Sequence, residues 1–379
     1  GYEVKILDQR VQLIDDDVLK NLISNDLICI GISTMTGTQI RYALNLAKKV
    51  RRLTGGKVPL VWGGCHPTVT AEQTLENEYV DIVVKGEGDE TFLELIKAIE
   101  NQQDFSKIQG LVYKDGQDTI FTGERPLLDV EDLLPVPWHL VEVENYVHRD
   151  MYVKGRSRVL DLGQTSRGCP FDCGFCSSAE IRERDWRAFS VEKSLDMIVG
   201  DVKRFNLGGL WLRDDEFYIK RQRASGIFKG MVDNNLDVSF FTSGARADIF
   251  MKASDEDVDL MKRAGAHTLA FGAESGSQRI LDLMQKGITV EQTLAANRRC
   301  KEYGISPVMG LLVGYPTETF DDINKTIDLG FRLLKENPLA HLETMTTYTA
   351  LPGTPDWHLS ESYGLKGPSS LEGWSDWIF

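Results

Sequence analysis

A chain of 379 residues with a formal net charge of −14 is too long for one ordinary domain, and too acidic to be held on nucleic acid by phosphate contacts, which need a clustered basic face. No apolar run approaches the roughly 20 residues that cross a bilayer, and no charged-then-apolar leader opens the chain. The expectation is a cytoplasmic protein of two or three compact units, without a transmembrane segment and without a nucleic-acid partner.

The first hundred residues alternate short apolar runs with amphipathic stretches, the rhythm of parallel strands and crossover helices. YEVKILD reads as a strand, DDDVLKNLIS as a helix and DLICIGIS as a strand buried on both faces. In QIRYALNLAKKVRRL the residues Ile40, Ala43, Ala47, Val50 and Leu53 share one helical face. VPLVWGG, a short helix at AEQTLEN, DIVVKG and the helix DETFLELIKAIE complete the expectation of an open, doubly wound, Rossmann-like α/β sheet over residues 1–125. Ligands of such sheets meet the loops that follow the carboxyl ends of the strands. Here those loops are STMTGT (33–38), GGCHPT (63–68) and GEGDE (86–90). Each taken alone is equally a tight strand-to-helix turn, with His66 an exposed cap residue.

Residues 108–123 read as a hairpin around Asp115-Gly116, and the proline-marked ERPLLDVEDLLPVPWHL places an interdomain linker at 126–157. Alternation resumes at RVLDLGQTSRGC. Ser190 caps a helix over 190–205 whose Val191, Leu195, Ile198, Val202 and Phe205 lie on one face. Strands follow near 209–213, 237–243, 267–272, 306–313 and 341–348, so residues 158–350 read as about six βα units of a partial (β/α)6 barrel. Chemistry in such a barrel gathers at the carboxyl ends of its strands. The C-terminal segment, 351–379, carries PSSLEGWSDWIF and reads as an apolar seal on the barrel mouth, or as the start of a substrate-covering segment.

Three of the six cysteines, Cys169, Cys173 and Cys176, stand together in TSRGCPFDCGFCSS, which is metal or redox usage and not a secreted disulfide framework. A structural zinc site wants a fourth ligand, and no further histidine or cysteine lies at short spacing from the trio. An iron–sulfur cube has four iron corners, so three thiolates leave one open. Cys29, Cys65 and Cys300 lie in apolar or helical surroundings and read as ordinary thiols.

CPFDCGFC, with the Arg-Gly before it and the aromatic Phe175 inside it, resembles the CxxxCxxC loop of the radical S-adenosylmethionine family. That resemblance implies a 4Fe–4S cluster held by Cys169, Cys173 and Cys176, its fourth iron open to the amino and carboxylate groups of S-adenosylmethionine. It implies further cofactor contacts at successive strand ends. Asp214, Asp215 or Glu216 of LWLRDDEF would accept the methionyl ammonium, and Glu274 and Ser275 of FGAESGS would meet the ribose or the methionyl end. The backbone after Gly310 would run beside the adenine, and Arg246 would pair with the cofactor carboxylate by a bidentate fork.

The three loops of the first unit, in their order, resemble the cobalamin-binding module of methyltransferases and mutases. By that likeness Ser33, Thr34, Thr36, Gly63, Gly64, His66 and Gly86 become cobalamin contacts. Such modules carry one more strand and helix before the segment matching GYEVKILD, and the histidine that ligates cobalt from below belongs to that unit; it is not found at the start of this chain. The two modules in this order resemble the cobalamin-binding radical S-adenosylmethionine enzymes. The resemblance implies a methyltransferase acting on an unactivated carbon, or a phosphinate phosphorus, of a small molecule or lipid through a 5'-deoxyadenosyl radical. The electron would come from a flavodoxin- or ferredoxin-type reductant. The same architecture leaves open a non-methylating radical reaction: cyclisation, ring contraction or carbon–carbon coupling. A tRNA methylthiotransferase would want another cysteine trio and a basic RNA-binding domain, and a mere cofactor carrier has no use for acidic strand ends.

Overall fold

The computed structural model describes residues 1–150 and 152–377, and the chain divides into two compact units, residues 1–128 with 349–379 and residues 129–348. The first unit runs α1 (Asp16–Leu22), β1 (Ile30–Ser33), α2 (Thr38–Thr54), β2 (Leu60–Gly63), α3 (Cys65–Val69), α4 (Ala71–Leu75), β3 (Ile82–Val84), α5 (Gly88–Glu100), β4 (Leu111–Asp115) and β5 (Asp118–Phe121). Strands β1, β2 and β3 pair in parallel, and the antiparallel hairpin β4–β5 extends the sheet beyond β3. Helix α2 buries Ile40, Ala43, Ala47 and Val50, the periodic face read from its sequence. They pack with Leu60, Trp62 and Leu75, and the Trp62 indole N–H is satisfied by the Tyr79 carbonyl at 2.9 Å.

YEVKILD does not form the expected strand. Residues 2–8 lie outside any ladder; Val4 and Ile6 are 49% and 43% exposed, and Leu7 leans on the core. An apolar–polar alternation makes a strand only where a partner offers backbone donors and acceptors.

The second unit begins with three 3-10 turns that pack on the barrel instead of hanging free as a linker. The Trp138 indole donates to Asp201 at 2.9 Å, and the Lys193 ammonium donates to the carbonyl of Leu133 at 2.7 Å. There follow β6 (Val159–Asp161), β7 (Ser166–Arg167), α6 (Ser178–Arg182), β8 (Arg187–Ala188), α7 (Val191–Phe205), β9 (Gly209–Leu212), α8 (Arg221–Asp233), β10 (Ser239–Ala245) and α9 (Ala247–Phe250). The unit continues through α10 (Asp255–Arg263), β11 (Ala266–Glu274), α11 (Gln278–Leu283), α12 (Val290–Glu302), β12 (Ser306–Val313), α13 (Phe320–Glu336) and β13 (His341–Thr347). Six strands pair in parallel in the order β6, β9, β10, β11, β12, β13. This chain-order ladder with intervening helices is a partial (β/α)6 barrel. Ser190 caps α7 on the Lys193 amide, as expected, and reciprocal capping boxes open α10, α12 and α13.

The tail returns to the first unit as α14 (Pro355–Ser362) and α15 (Leu371–Trp374). Leu371 and Trp374, 1% and 3% exposed, complete that unit's core. The tryptophans expected to seal the barrel mouth have their apolar surface buried beside α2 and α4 instead. Among the described residues no helix is long and apolar enough to cross a membrane.

Candidate active site

In the second unit the cysteine loop leaves β7 and is pinned from beneath by the acidic end of β9. Asp214 is 1% exposed. Its Oδ1 accepts from the Thr165 amide at 3.0 Å, the Thr165 hydroxyl at 2.9 Å and the Ser166 hydroxyl at 2.5 Å. Its Oδ2 is buried without a protein partner, and burial raises its pKa. Asp215 accepts from the Gly168 amide at 3.2 Å and the Ser178 hydroxyl at 3.3 Å, bracketing the loop from both sides. Glu216 differs from both. It is 1% exposed, with a carboxylate oxygen on the Tyr218 amide at 3.2 Å, and burial pushes its pKa up to about 8. Of the three acids, then, two hold the loop, and Glu216 is the buried carboxyl whose burial raises its pKa.

The loop itself turns on the Cys176 amide, which donates to the Cys173 carbonyl at 3.1 Å, and is tied outward by the Gly174 amide to the Met284 carbonyl at 2.9 Å. Cys173 is buried; Cys169 and Cys176 are half-buried. Burial pushes the Cys169 thiol up to about 11 and raises Cys176 as well, so loading metal here must release protons.

Two cations flank this loop. Arg246, following β10, lies with its guanidinium carbon 3.6 Å from the Phe171 ring centroid and Nη1 3.8 Å from Cys173 Sγ. Its Nε donates to Asp248 at 3.0 Å and its Nη2 to the Lys286 carbonyl at 2.8 Å. Arg246 is thus engaged along its whole guanidinium, and its geometry is that of a clasp on the cysteine loop. Lys286 pairs with Glu274 at 2.6 Å, both nearly buried, and its Nζ stands 5.6 Å from the Phe175 ring centroid. Glu274 occupies a positive φ of 58° at a register shift between β11 and β12, a backbone state uncommon for a non-glycine residue. Ser275, fully buried, spends its hydroxyl on Thr326 at 3.0 Å and on the Ser277 amide at 3.1 Å. It fixes the turn. Gly310 and Glu274 line a cavity of about 410 Å3 with Ser243, Ala270, Gly272 and Glu343. Lys286, Asp248, Phe171 and Glu343 were not singled out in the sequence. Only Phe171 carried a signal, its place inside the cysteine loop.

In the first unit Ser33, Thr34, Thr36, Gly63, Gly64, His66 and Gly86 gather at the carboxyl ends of β1, β2 and β3. Gly64 has φ +94°, and a Cβ there would fall 2.7 Å from the Thr34 carbonyl and 2.8 Å from Ser33 Oγ; only glycine lets these two strand ends close. Gly63 is sterically ordinary and Gly86, φ +79°, faces open space, its amide on the Thr68 hydroxyl at 3.1 Å. Thr34, 2% exposed, buries a hydroxyl with no protein partner. His66 is no exposed cap: it is fully buried, its Nδ1 3.0 Å from the Thr36 hydroxyl, its Nε2 3.1 Å from the Thr70 hydroxyl, and its ring edge-on to Trp374. Burial drops its pKa to about 4. Both ring nitrogens are committed, so His66 shapes the wall of the site.

Three cysteine sulfurs on one loop at a barrel strand end are the donor set of iron–sulfur ligation, and the buried Glu216 carboxylate and orphaned Thr34 hydroxyl fit an ammonium-bearing cofactor and a polar ligand respectively. A partial barrel so equipped is a radical S-adenosylmethionine enzyme. The radical SAM superfamily model matches residues 164–330 and the B12 binding domain model residues 1–96. An uncharacterized methyltransferase of Pyrococcus horikoshii is 31% identical over 96% of this chain and 76% of its own length. An anaerobic magnesium-protoporphyrin IX monomethyl ester cyclase of Cereibacter sphaeroides is 27% identical over 84% of this chain and 51% of its own. The structure of the cobalamin-dependent S-adenosylmethionine radical enzyme OxsB, with aqua-cobalamin and S-adenosylmethionine bound, is similar at TM-score 0.72 and 20% identity, covering 92% of this chain and 54% of that one. The chain therefore spans about half the length of the cyclase and of OxsB. It belongs to the cobalamin-binding radical S-adenosylmethionine enzymes, a family whose cofactors are a 4Fe–4S cluster, S-adenosylmethionine and cobalamin.

Proposed function

We propose that this protein is a methyltransferase that modifies an unactivated carbon, or a phosphinate phosphorus, of a small molecule or lipid. The observation that carries the reading is a three-cysteine loop that leaves β7 in a chain that also matches the B12 binding domain over its first 96 residues. Bound, the cofactors supply one electron, a hydrogen-abstracting radical and a methyl group. The chain's own residues hold and exclude. Cys169, Cys173 and Cys176 leave one metal corner for S-adenosylmethionine. Glu216 takes up the methionyl ammonium, whose positive charge offsets the burial of its carboxylate. Glu274, kept near Lys286, and the backbone beside Gly310 line the cavity offered to the nucleoside. Thr34, Ser33 and Gly64 form the polar edge toward cobalamin. The electron comes from a flavodoxin- or ferredoxin-type carrier.

The test is incubation of the anaerobically reconstituted protein with reductant, cobalamin, methyl-labelled S-adenosylmethionine and an extract of candidate substrates. The reading expects 5'-deoxyadenosine together with label in a product. The similarity to a cyclase supports a second reading, a radical cyclisation or coupling without methyl transfer. It expects 5'-deoxyadenosine with the label found only in methionine and unreacted S-adenosylmethionine, and none in the product. Absence of both products under turnover conditions would overturn the two readings together.

A further inference from the structure

Arg246 is assigned by family resemblance to the carboxylate of S-adenosylmethionine, yet its surroundings describe another task. Four features of its guanidinium are spoken for: Nε on Asp248 at 3.0 Å, Nη2 on the Lys286 carbonyl at 2.8 Å, one face on the Phe171 ring, and Nη1 toward Cys173 Sγ at 3.8 Å. The residue is 8% exposed, so solvent screens its charge poorly. Phe171 and Cys173 belong to the same cysteine loop. A planar cation stacked on one loop residue and pointing an N–H at the sulfur of another could offer a bidentate fork to an incoming carboxylate only by giving up these contacts.

We propose that Arg246 is a positioning residue that sets the reduction potential of the cluster, holding a buried positive charge and a hydrogen-bond donor against the Cys173 sulfur. The inference rests on the family's cluster being carried by this loop. In the reduction itself one electron passes from an external reductant to the cluster, which gains one negative charge while its three thiolate ligands are unchanged. Added electron density falls partly on the cysteine sulfurs. A cation and an N–H donor beside one of them favour the reduced state over the oxidised one, since potential follows net charge and hydrogen bonds to sulfur. Asp248, on the far side of the guanidinium, works against this by partly neutralising the charge. The two residues therefore pull the potential in opposite directions.

The experiment is an EPR-monitored redox titration of the reconstituted full chain without S-adenosylmethionine, with iron and sulfide measured on the same samples. Arg246→Met and Arg246→Gln should keep wild-type iron content and move the midpoint to more negative potential; Arg246→Lys, which keeps the charge but loses the stacked plane, should fall between them and wild type. Asp248→Asn should move the midpoint the other way. Because Asp248→Asn retains the arginine clasp, it reads out the charge effect even if the Arg246 variants fail to retain iron. An unchanged midpoint in any Arg246 variant with full iron content, or a negative shift in Asp248→Asn, would overturn the proposal. A purely structural role would change iron content and leave the midpoint of the loaded fraction where it was.

Discussion

At the scale of single residues, burial decides what a side chain with reactive chemistry is free to do. The sequence offers His66 either as an exposed cap residue of a Gly-rich turn or, by likeness to the cobalamin module, as a cobalamin contact. In the fold it lies under Trp374 between two threonine hydroxyls, and burial lowers its pKa from 6.5 to about 4. The consequence for stability has a definite sign. Between those values the unfolded chain binds a proton that the folded chain refuses, so the stability present above about pH 6.5 is lost as pH falls toward 4 and levels off below it. The full loss is about 3 kcal/mol. His66→Gln should therefore cost stability at pH 7, and the gap in urea midpoint between wild type and variant should narrow steadily as pH drops to 4.5. A gap that stays constant over that range would mean His66 titrates normally.

At the scale of elements, the short ribbon β7–β8 and the acidic end of β9 together determine where the cysteine loop starts. Gly168 immediately precedes Cys169, with φ +87°, and a Cβ at that position would fall 2.0 Å from the Asp185 carbonyl oxygen, which is backbone and cannot rotate away. Gly168→Ala must either adopt a left-handed conformation at roughly 1–2 kcal/mol with a clash added, or push the ribbon apart and release the Asp215 bond to the Gly168 amide. Iron bound after reconstitution should fall by more than about half relative to wild type while the circular dichroism of the barrel is kept; undiminished iron loading would show that the ribbon is not what shapes the loop. The Arg-Gly that precedes the first cysteine was legible as part of the motif, and the acids after β9 were legible as a cluster at a strand end. Their division of labour was not. Asp214, Asp215 and Glu216 are adjacent in sequence and alike in chemistry, and only the direction of each side chain from the strand end separates two loop anchors from one buried acceptor.

At the scale of the whole molecule, local periodicity identified the long helices, since α2 buries Ile40, Ala43, Ala47 and Val50, and α7 buries Ile198 and Val202 with Val191, Leu195 and Phe205 packed beside them. It failed where the outcome depends on distant partners. Residues 2–8 alternate correctly yet find no ladder, Lys286 lies in a stretch, LMQKG, with nothing to mark it, and the tail's tryptophans were assigned to the wrong surface because an apolar residue does not name its partner. The tail's actual destination makes an argument that can be tested. Trp374 is 3% exposed, donates its indole N–H to Gln73 at 2.5 Å and stacks edgewise on His66, all within the first unit. The cysteines and every residue that clamps their loop lie within 129–348. Trp374→Ala should remove roughly 3–5 kcal/mol from the first unit without touching the iron site. Hydrogen exchange by mass spectrometry should show faster exchange in peptides from α2 and β2, unchanged exchange in those from β9 through β12, and weaker retention of added cobalamin at unchanged iron content. Faster exchange across the barrel strands would refute this division, because it would mean that stability contributed by the tail reaches the cysteine loop.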